Sequence, residues 1–409
     1  MKTKLNELAI FGGRPEFAEP LHVGRPNIGD RRRLFERLSG ALDRHWLSND
    51  GPLVREFESR VASLLGVEHC VAVGNGTAAL EILFRAADLS GEVVMPSFTF
   101  VATAHAARWL GLEPVFCDID PETHRIDPPL VERLITPRTS AIVAVHLWGR
   151  PGEVAALEEI AARHNLKLVF DAAHAFGCSY RGRMVGGFGL AEIFSFHPTK
   201  FVNAFEGGAV TTNDRALADR LRLMRNFGFS GYDRVADLGI NAKMNEAAAA
   251  MALTNLDSMD DFIAVNQRNY QAYCRELHAL PGIRVLPYDE QEKCNFQYVV
   301  IEVGPDCGLP RDQLVALLWS ENVLARRYFY PGCHRAVPYR EPHGQSERQL
   351  PATEEVSRRV LLLPTGAAVQ PAEIAAVAAL MRLAVRHAAE VADEFKRRPP
   401  TLPAALPIE

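Results

Sequence analysis

The sequence predicts an α/β protein with a large domain built on a mainly parallel sheet and a smaller C-terminal α+β domain. Three observations support this fold class. The chain has 409 residues, more than one simple hydrophobic core usually holds. Short apolar runs alternate with helical patterns between residues 70 and 212, and the pattern changes after residue 255. We therefore expect a large domain over 1–255 and a small domain over 256–392.

The strands of the large domain are predicted from short apolar runs bounded by turn residues. These runs occupy residues 70–73, 92–95, 114–117, 141–145, 167–170, 192–196 and 209–212. Helical patterns separate several of them, over residues 78–87, 102–110 and 154–164. Such alternation is typical of a parallel sheet with helices on both faces, and ligands bind such sheets at the carboxyl ends of the strands.

The small domain begins with a long helical stretch over residues 257–280 that we interpret as a linking helix. A strand over 297–303, a helix over 311–321 and a strand over 360–363 follow, and the pattern over 371–391 predicts a final amphipathic helix. Prolines then recur up to Pro407. We expect residues 393–409 to form a disordered tail.

Composition excludes several classes of partner. The 45 basic and 50 acidic side chains give a net charge of −5 without a basic stripe, so neither nucleic acid nor an anionic membrane is an expected partner. No run of about 18 apolar residues predicts a membrane span. The seven cysteines show no CxxC or zinc spacing, and the N-terminus is too charged for a secretory signal. We expect free thiols, no metal and a cytoplasmic protein.

Lys200 and Asp171 carry the strongest chemical signal. Lys200 ends the segment SFHPTK just after one predicted strand, and Asp171 ends another strand in VFDAAHA. An amine and a carboxylate at neighbouring strand ends are what pyridoxal phosphate (PLP) chemistry requires. The lysine forms a Schiff base and the aspartate keeps the pyridine nitrogen protonated. A surface lysine is the alternative for Lys200 taken alone.

Other polar groups fall at the same predicted edge. Gly76 and Thr77 lie where a strand, a small-residue loop and a helix start follow one another, which favours a phosphate site but also fits an ordinary glycine turn. The hydroxyl of Ser195 is a natural phosphate ligand. His197 could contact substrate or shape the loop, and the sequence does not decide between the two.

Phe100 and His174 could complete a cofactor site. Phe100 follows a strand end, where an aromatic side chain can stack on a flat ring, although core packing is the alternative. His174 lies three residues after Asp171, within reach of the phenolic oxygen of PLP, unless it is a structural histidine. Asn241 belongs to a polar loop before a small-residue helix and could reach a phosphate across a dimer interface or simply start the helix.

Competing enzyme classes fit poorly. The thirteen histidines are scattered, no GxSxG or P-loop motif occurs, and GNG at residues 74–76 lacks the third glycine of a dinucleotide fingerprint.

Taken together, these segments resemble the PLP-dependent nucleotide-sugar aminotransferases of the DegT/StrS type, which have PLP fold type I. The resemblance runs from about residue 21 to residue 380. Its motifs in this sequence are NGTAA (75–79), PSFTF (96–100), HLWG (146–149), DAAH (171–174), SFHPTK (195–200), EGG (206–208) and YPGCH (330–334).

The resemblance implies a role for each matching residue. Lys200 corresponds to the Schiff-base lysine, Asp171 to the pyridinium partner, Phe100 to the ring stacker and His174 to the partner of the phenolic oxygen. The implied phosphate ligands are Gly76, Thr77, Ser195 and, from the second subunit of a homodimer, Asn241. The implied substrate contacts are Lys243, Tyr330 and His334. Many relatives carry arginine where this chain has Lys243, and lysine keeps the charge without the planar fork.

Three segments, HWLSNDGP (45–52), GINAKMNEA (239–247) and YFYPGCH (328–334), together resemble one branch of the family. Its members make TDP-4-amino-4,6-dideoxy-D-glucose for deoxyaminosugars of natural products, on routes such as those to desosamine and calicheamicin. The resemblance implies a TDP-4-keto-6-deoxy-D-glucose substrate and L-glutamate as amino donor. Three alternatives stay open: transfer to C3 of a 3-keto sugar, a sugar dehydratase on the same fold, and a non-catalytic regulator. The dehydratases carry histidine at the lysine position, so Lys200 argues against that class.

Overall fold

The structure, a computed structural model, describes residues 1–340 and 349–399. Its strands in chain order are β1 (Leu21–His22), β2 (His69–Val73), β3 (Glu92–Pro96), β4 (Glu113–Cys117), β5 (Thr139–Val145), β6 (Lys167–Asp171), β7 (Ser179–Tyr180), β8 (Arg183–Met184), β9 (Ala191–Ser195), β10 (Gly208–Thr212), β11 (Phe229–Gly231), β12 (Arg234–Val235), β13 (Ile283–Val285), β14 (Val299–Val303), β15 (Val323–Leu324) and β16 (Val360–Leu363).

The helices of the described residues are α1 (Arg31–Asp43), α2 (Pro52–Leu65), α3 (Gly76–Ala86), α4 (Val101–Trp109), α5 (Pro128–Leu134), α6 (Val154–His164), α7 (Arg215–Met224), α8 (Glu246–Asp257), α9 (Met259–Leu277), α10 (Arg311–Ser320), α11 (Val337–Arg340), α12 (Pro351–Arg359), α13 (Pro371–Arg386) and α14 (Ala388–Arg397). Within the described ranges, no helix combines the length and apolar character needed to cross a bilayer.

A seven-stranded sheet organises the larger part of the molecule, in the order β2-β10-β9-β6-β5-β3-β4. Strand β10 runs antiparallel to both of its neighbours, and the remaining neighbours pair in parallel. The mainly parallel sheet that the alternating pattern predicts is therefore confirmed. Each predicted strand lies within two residues of an observed one.

Both faces of this sheet are buried. Along β2, Cys70 and Ala72 join one hydrophobic cluster with side chains of α2, α6 and α8, whereas Val71 and Val73 join another with α3, α4 and α7. A strand covered on both faces favours a continuous apolar run over strict alternation, which is why short apolar runs identified the strands.

Helix α8 is buried on all sides and packs against α1 and α2. Its alanines allow this close approach. The predicted linking helix over 257–280 is α9, which begins at Met259 after a break at Ser258.

A second, three-stranded antiparallel sheet, β13-β14-β16, packs with α9, α10 and α13. The N-terminal segment belongs to this core, which corrects its predicted place in the large domain. Leu8 and Leu21 are buried there beside Leu314, and β1 pairs in parallel with β15. Apolar side chains early in the chain thus complete a core formed mostly by the C-terminal part.

The C-terminal end differs from the prediction in one respect. The final helical stretch divides at His387 into α13 and α14, and α14 continues to Arg397. Residues 393–397 are therefore helical rather than part of a disordered tail, because Val391 and Phe395, one turn apart, are buried in the small core. The rest of the predicted tail, from residue 400, lies outside the described residues.

Candidate active site

A cavity of about 490 Å³ opens at the carboxyl ends of β6 and β9. Two sources contribute to its lining. The central sheet and the helices that follow its strands supply most of the side chains, whereas Tyr298, Arg326 and Phe329 come from the C-terminal part. The predicted site residues that line it are Gly76, Thr77, Phe100, Asp171, His174, Ser195 and Lys200.

Asp171 ends β6 and is buried. The hydroxyl of Thr103 donates to its Oδ2 at 2.8 Å, and the amide of Ala173 donates to its Oδ1 at 3.1 Å. Burial raises the pKa of the Asp171 carboxyl, while these two hydrogen bonds and the charges of Lys200 and His146 act in the opposite direction. Both carboxyl oxygens are thus held in fixed directions at the cavity wall.

His174 is held as a neutral hydrogen-bond donor. Its Nδ1 accepts the backbone N–H of Trp148 at 3.3 Å, and an amide can only donate, so the ring proton of the neutral imidazole lies on Nε2. Burial, together with the charge of Lys200, lowers the pKa of His174 well below its ordinary value. The ring stacks on Phe329 with an interplanar angle of 7°.

The start of helix α3 forms the anion-binding end of the cavity. Asn75 accepts the amide of Ala78 through its side chain at 2.8 Å, and helix geometry leaves the amides of Gly76 and Thr77 without intrahelical acceptors. Ser195 lies against this turn, since a Cβ added to Gly76 would be 3.0 Å from the Ser195 Cβ. Two amides and one hydroxyl therefore face the same space.

Lys200 follows β9 in a turn closed by its amide, which donates to the carbonyl of His197 at 2.8 Å. Its Nζ donates to the hydroxyl of Tyr298 at 3.4 Å. Tyr298 directly precedes β14, so the amine is contacted from the small sheet as well as held by the large one. Both side chains line the cavity.

Three other predicted site residues lie outside this cavity in the single chain. Asn241 is exposed, and Lys243 places its Nζ 4.6 Å from the centre of the Phe227 ring and lines a separate cavity of about 240 Å³. Burial and the neighbouring Arg225 lower the pKa of Lys243. Tyr330 is half-exposed beneath two arginine side chains.

His334 also does not line this cavity, and its predicted substrate contact stays a prediction. The side chain is buried, with Nδ1 2.6 Å from the hydroxyl of Ser97 and Nε2 3.4 Å from a carboxylate oxygen of Glu354. Both ring nitrogens contact protein groups, so His334 connects the segment after Tyr330 to the residues that follow β3.

Several residues that line the cavity, or that contact a side chain lining it as Thr103 contacts Asp171, were not predicted from the sequence. Thr103 follows the PSFTF motif by three residues, and its place in the first turn of the helix after a strand end was a usable signal. Tyr298, Arg326 and Phe329 lie in the C-terminal part, and no local pattern connects them to Lys200.

Comparison with known proteins gives concordant results. Residues 30–382 match the model of the DegT/DnrJ/EryC1/StrS aminotransferase family. The chain is 36% identical to the dTDP-4-amino-4,6-dideoxy-D-glucose transaminase of Shigella dysenteriae over 313 residues, which cover 76% of this chain and 85% of the relative. The corresponding enzyme of Escherichia coli is 35% identical over 345 residues, covering 84% of this chain and 92% of the relative.

Among solved structures, DesI crystallised in the presence of its TDP-sugar product is 52% identical and superposes with a TM-score of 0.92, over 96% of this chain and all of the DesI chain. Helicobacter pylori PseC, an aminotransferase of pseudoaminic acid biosynthesis, superposes with a TM-score of 0.82 at 26% identity, over 93% of this chain and all of its own. The predicted fold class, that of fold type I aminotransferases, is confirmed. A sequence match over most of the chain, the shared fold and a lysine–aspartate cavity at the strand ends agree, and the chain belongs to the DegT/DnrJ/EryC1/StrS aminotransferase family.

Proposed function

We propose that this protein is a PLP-dependent aminotransferase that moves an amino group from L-glutamate to C4 of TDP-4-keto-6-deoxy-D-glucose. The observation that carries the proposal is the single cavity lined by Lys200, Asp171, His174 and the start of α3. The similarity to DesI, seen with a TDP-sugar product, and to two dTDP-4-amino-4,6-dideoxy-D-glucose transaminases supports this nucleotide and this carbon.

The lining residues fit PLP. The amides of Gly76 and Thr77 and the hydroxyl of Ser195 supply donors for a phosphate, and the absence of a side chain at Gly76 lets an anion approach the turn. A buried carboxylate, Asp171, suits a protonated pyridine nitrogen. The Nε2–H of His174 suits the phenolic oxygen, and Phe100 offers an aromatic face to the ring.

PLP, when bound, supplies an electron sink for the carbon that loses its proton. The chain supplies the charges and proton transfers around it. Asp171 provides the negative partner that keeps the ring nitrogen protonated. His174 donates from Nε2 and cannot compete as a base through Nδ1, because that atom accepts the amide of Trp148.

Lys200 is the proton-transfer group of the proposed reaction. In the first half-reaction its Nζ would remove the α-proton of glutamate and return it to the neighbouring carbon of the cofactor. In the second it would take a proton from that cofactor carbon and deliver it to C4 of the sugar. The contact with Tyr298 holds Nζ at the side of the cavity formed by the C-terminal part. Because one amine carries a proton between the substrate carbon and the neighbouring cofactor carbon, its Nζ must stay close to both.

We also propose that the working unit is a homodimer with shared sites. Residues 227–240 expose the apolar side chains Phe227, Phe229, Tyr232, Val235, Leu238 and Ile240, many of them on the hairpin β11–β12. Contiguous exposed apolar surface favours association. Asn241 directly follows this surface and lies outside the cavity of its own chain, as expected for a residue that serves the partner's phosphate site.

The decisive experiment offers the purified protein L-glutamate with either TDP-4-keto-6-deoxy-D-glucose or TDP-3-keto-6-deoxy-D-glucose and identifies the product by mass spectrometry and NMR. We expect the 4-amino sugar and 2-oxoglutarate in equal amounts. Lys200→Ala is the matched control, because it removes the amine and should abolish turnover. A 3-amino product would overturn the C4 assignment, and loss of a sugar hydroxyl without amination would establish the dehydratase alternative.

A further inference from the structure

We infer that Thr103 is a positioning residue that keeps Asp171 ionised and oriented toward the cofactor nitrogen. The hydroxyl of Thr99 in turn holds the hydroxyl of Thr103 in place. The inference rests on the proposed PLP-dependent function and adds a residue to it. The two threonines and Asp171 form a buried chain of hydroxyls that ends on a carboxylate, here called the threonine relay.

The relay joins helix α4, which carries Thr103, to the end of strand β6, which carries Asp171. Thr103 lies in the first turn of α4, and its amide donates to the carbonyl of Phe100 at 3.2 Å. Its hydroxyl donates to Oδ2 of Asp171 at 2.8 Å. Thr103 is fully buried, so no solvent water competes for this hydrogen bond.

The direction of the relay follows from the number of protons. A threonine hydroxyl carries one hydrogen and can accept through its oxygen. Thr103 donates its single hydroxyl hydrogen to Asp171. In the contact of 3.1 Å between Thr99 Oγ1 and Thr103 Oγ1, Thr99 must therefore be the donor. Thr99 is itself buried and lines the cavity.

The relay offsets the cost of burying a charged carboxylate. A carboxyl group in this buried position would favour its neutral form, which cannot pair with a protonated pyridine nitrogen. The Ala173 amide satisfies Oδ1, and the Thr103 hydroxyl satisfies Oδ2. Two donors in fixed directions stabilise the charge and also fix the rotation of the carboxyl plane, whereas one donor would do neither fully.

The test measures cofactor binding rather than turnover. Apoprotein is titrated with pyridoxamine 5′-phosphate and with its 1-deaza analogue, in which carbon replaces the ring nitrogen, and both Kd values are determined by fluorescence. Wild-type protein should prefer the nitrogen-containing compound. Thr103→Val keeps the side-chain shape but removes the hydroxyl, and should reduce that preference about 10- to 100-fold, the range for losing a hydrogen bond to a charged group.

Three further variants separate positioning from packing. Thr103→Ser restores the hydroxyl and should return the preference to within about threefold of wild type. Thr99→Val keeps the Thr103 hydroxyl and should lower the preference by a smaller factor, about 2- to 10-fold. Thr211→Val is the control. Thr211 is equally buried and lies on β10, and its hydroxyl donates to the carbonyl of Glu192 at 3.4 Å rather than to Asp171, so the preference should not change.

The outcomes also distinguish this inference from the proposed function. If wild-type apoprotein binds neither compound, the PLP-dependent function itself is wrong. If wild type prefers the nitrogen-containing compound and Thr103→Val keeps that preference, only the role of Thr103 is wrong. Should Thr103→Val not fold, Thr99→Val decides, and an unchanged preference in that variant overturns the relay.

Discussion

At Asp171 and His174, burial pushes the pKa of each side chain toward the neutral form, and the chain responds differently at the two positions. Asp171 receives two donors that favour the charged carboxylate. His174 receives an amide N–H on Nδ1, which stabilises the neutral ring and adds to the effect of burial. One cavity is thus lined by a hydrogen-bonded carboxyl group and by a neutral imidazole donor.

Lys200 is expected to carry PLP covalently. Borohydride reduction of the purified protein should fix a pyridoxyl group, and peptide mapping by mass spectrometry should place it on Lys200, because this amine lines the cavity that contains Asp171. Lys243, which lines a different cavity, is the internal comparison. A label on Lys243 or on any other lysine would contradict the assignment.

A site residue could be predicted from the sequence only where it belonged to a recognisable motif. Lys200, Asp171, Ser195 and Gly76 lie at strand or helix ends that the apolar runs had located. The contact between Thr103 and Asp171 joins residues 68 positions apart, and its existence depends on the angle at which α4 leaves the sheet. Local patterns contain no information on that angle.

At the scale of elements, close approach of backbones explains Gly208, the second glycine of the EGG motif. A Cβ on Gly208 in β10 would lie 2.5 Å from the backbone C and O of Asn75 and 2.8 Å from the amide nitrogen of Gly76. Strand β10 therefore runs directly against the turn that begins α3. The sequence showed the motif, but the partner of Gly208 became visible only in the structure.

Gly208→Ala is expected to displace this turn. We predict a loss of about 1–3 kcal/mol in the free energy of unfolding, the usual cost of overpacking, measured by denaturant titration. Pyridoxamine 5′-phosphate should also bind more weakly, because the amides of Gly76 and Thr77 move with the turn. Gly152→Ala is the matched control, since its nearest contact would be an ordinary 3.8 Å. Equal stability of the two variants would contradict the argument.

Another contact between elements joins the first residue of α8 to the start of α2. Glu246 is fully buried, and its carboxylate accepts the amides of Leu53 and Val54 at 3.0 Å each. It therefore caps the start of α2, nearly two hundred residues earlier in the chain. These contacts connect the loop that ends at Asn245 to the start of α2.

Helix ends were harder to predict than strand positions. The break between α8 and α9 at Ser258 and the break between α13 and α14 at His387 interrupt helical patterns without proline or glycine. Tertiary packing accounts for the first break, because α8 is enclosed by α1 and α2, whereas α9 packs on α13. Propensity alone cannot predict where a helix changes its neighbours.

At the scale of the whole molecule, two predicted site residues lie outside the cavity of their own chain. The cavity walls come from the large sheet and from Tyr298, Arg326 and Phe329 of the C-terminal part, yet the predicted contacts Asn241 and Lys243 face elsewhere. The exposed apolar surface over residues 227–240 lies beside them. A two-fold dimer that buries this surface could carry Asn241 of each chain toward the cavity of its partner.

The shared-site arrangement predicts complementation between inactive variants. Lys200→Ala lacks the amine, and Asn241→Ala lacks the proposed contact from the partner chain. In a hybrid dimer, the site that keeps Lys200 receives an intact Asn241 from the other chain. After random subunit exchange we expect about a quarter of the wild-type activity per chain, because half of the dimers are hybrids and each has one complete site.

The control pairs Lys200→Ala with Asp171→Asn. Both residues line the cavity of the same chain, so neither site of that hybrid is complete and mixing should recover no activity. Subunit exchange is verified in both mixtures by native mass spectrometry of chains with different isotope labels. If exchange is complete, Asn241→Ala alone is clearly impaired, and the first mixture stays as inactive as the control, then Asn241 serves its own chain and the dimer does not share its sites.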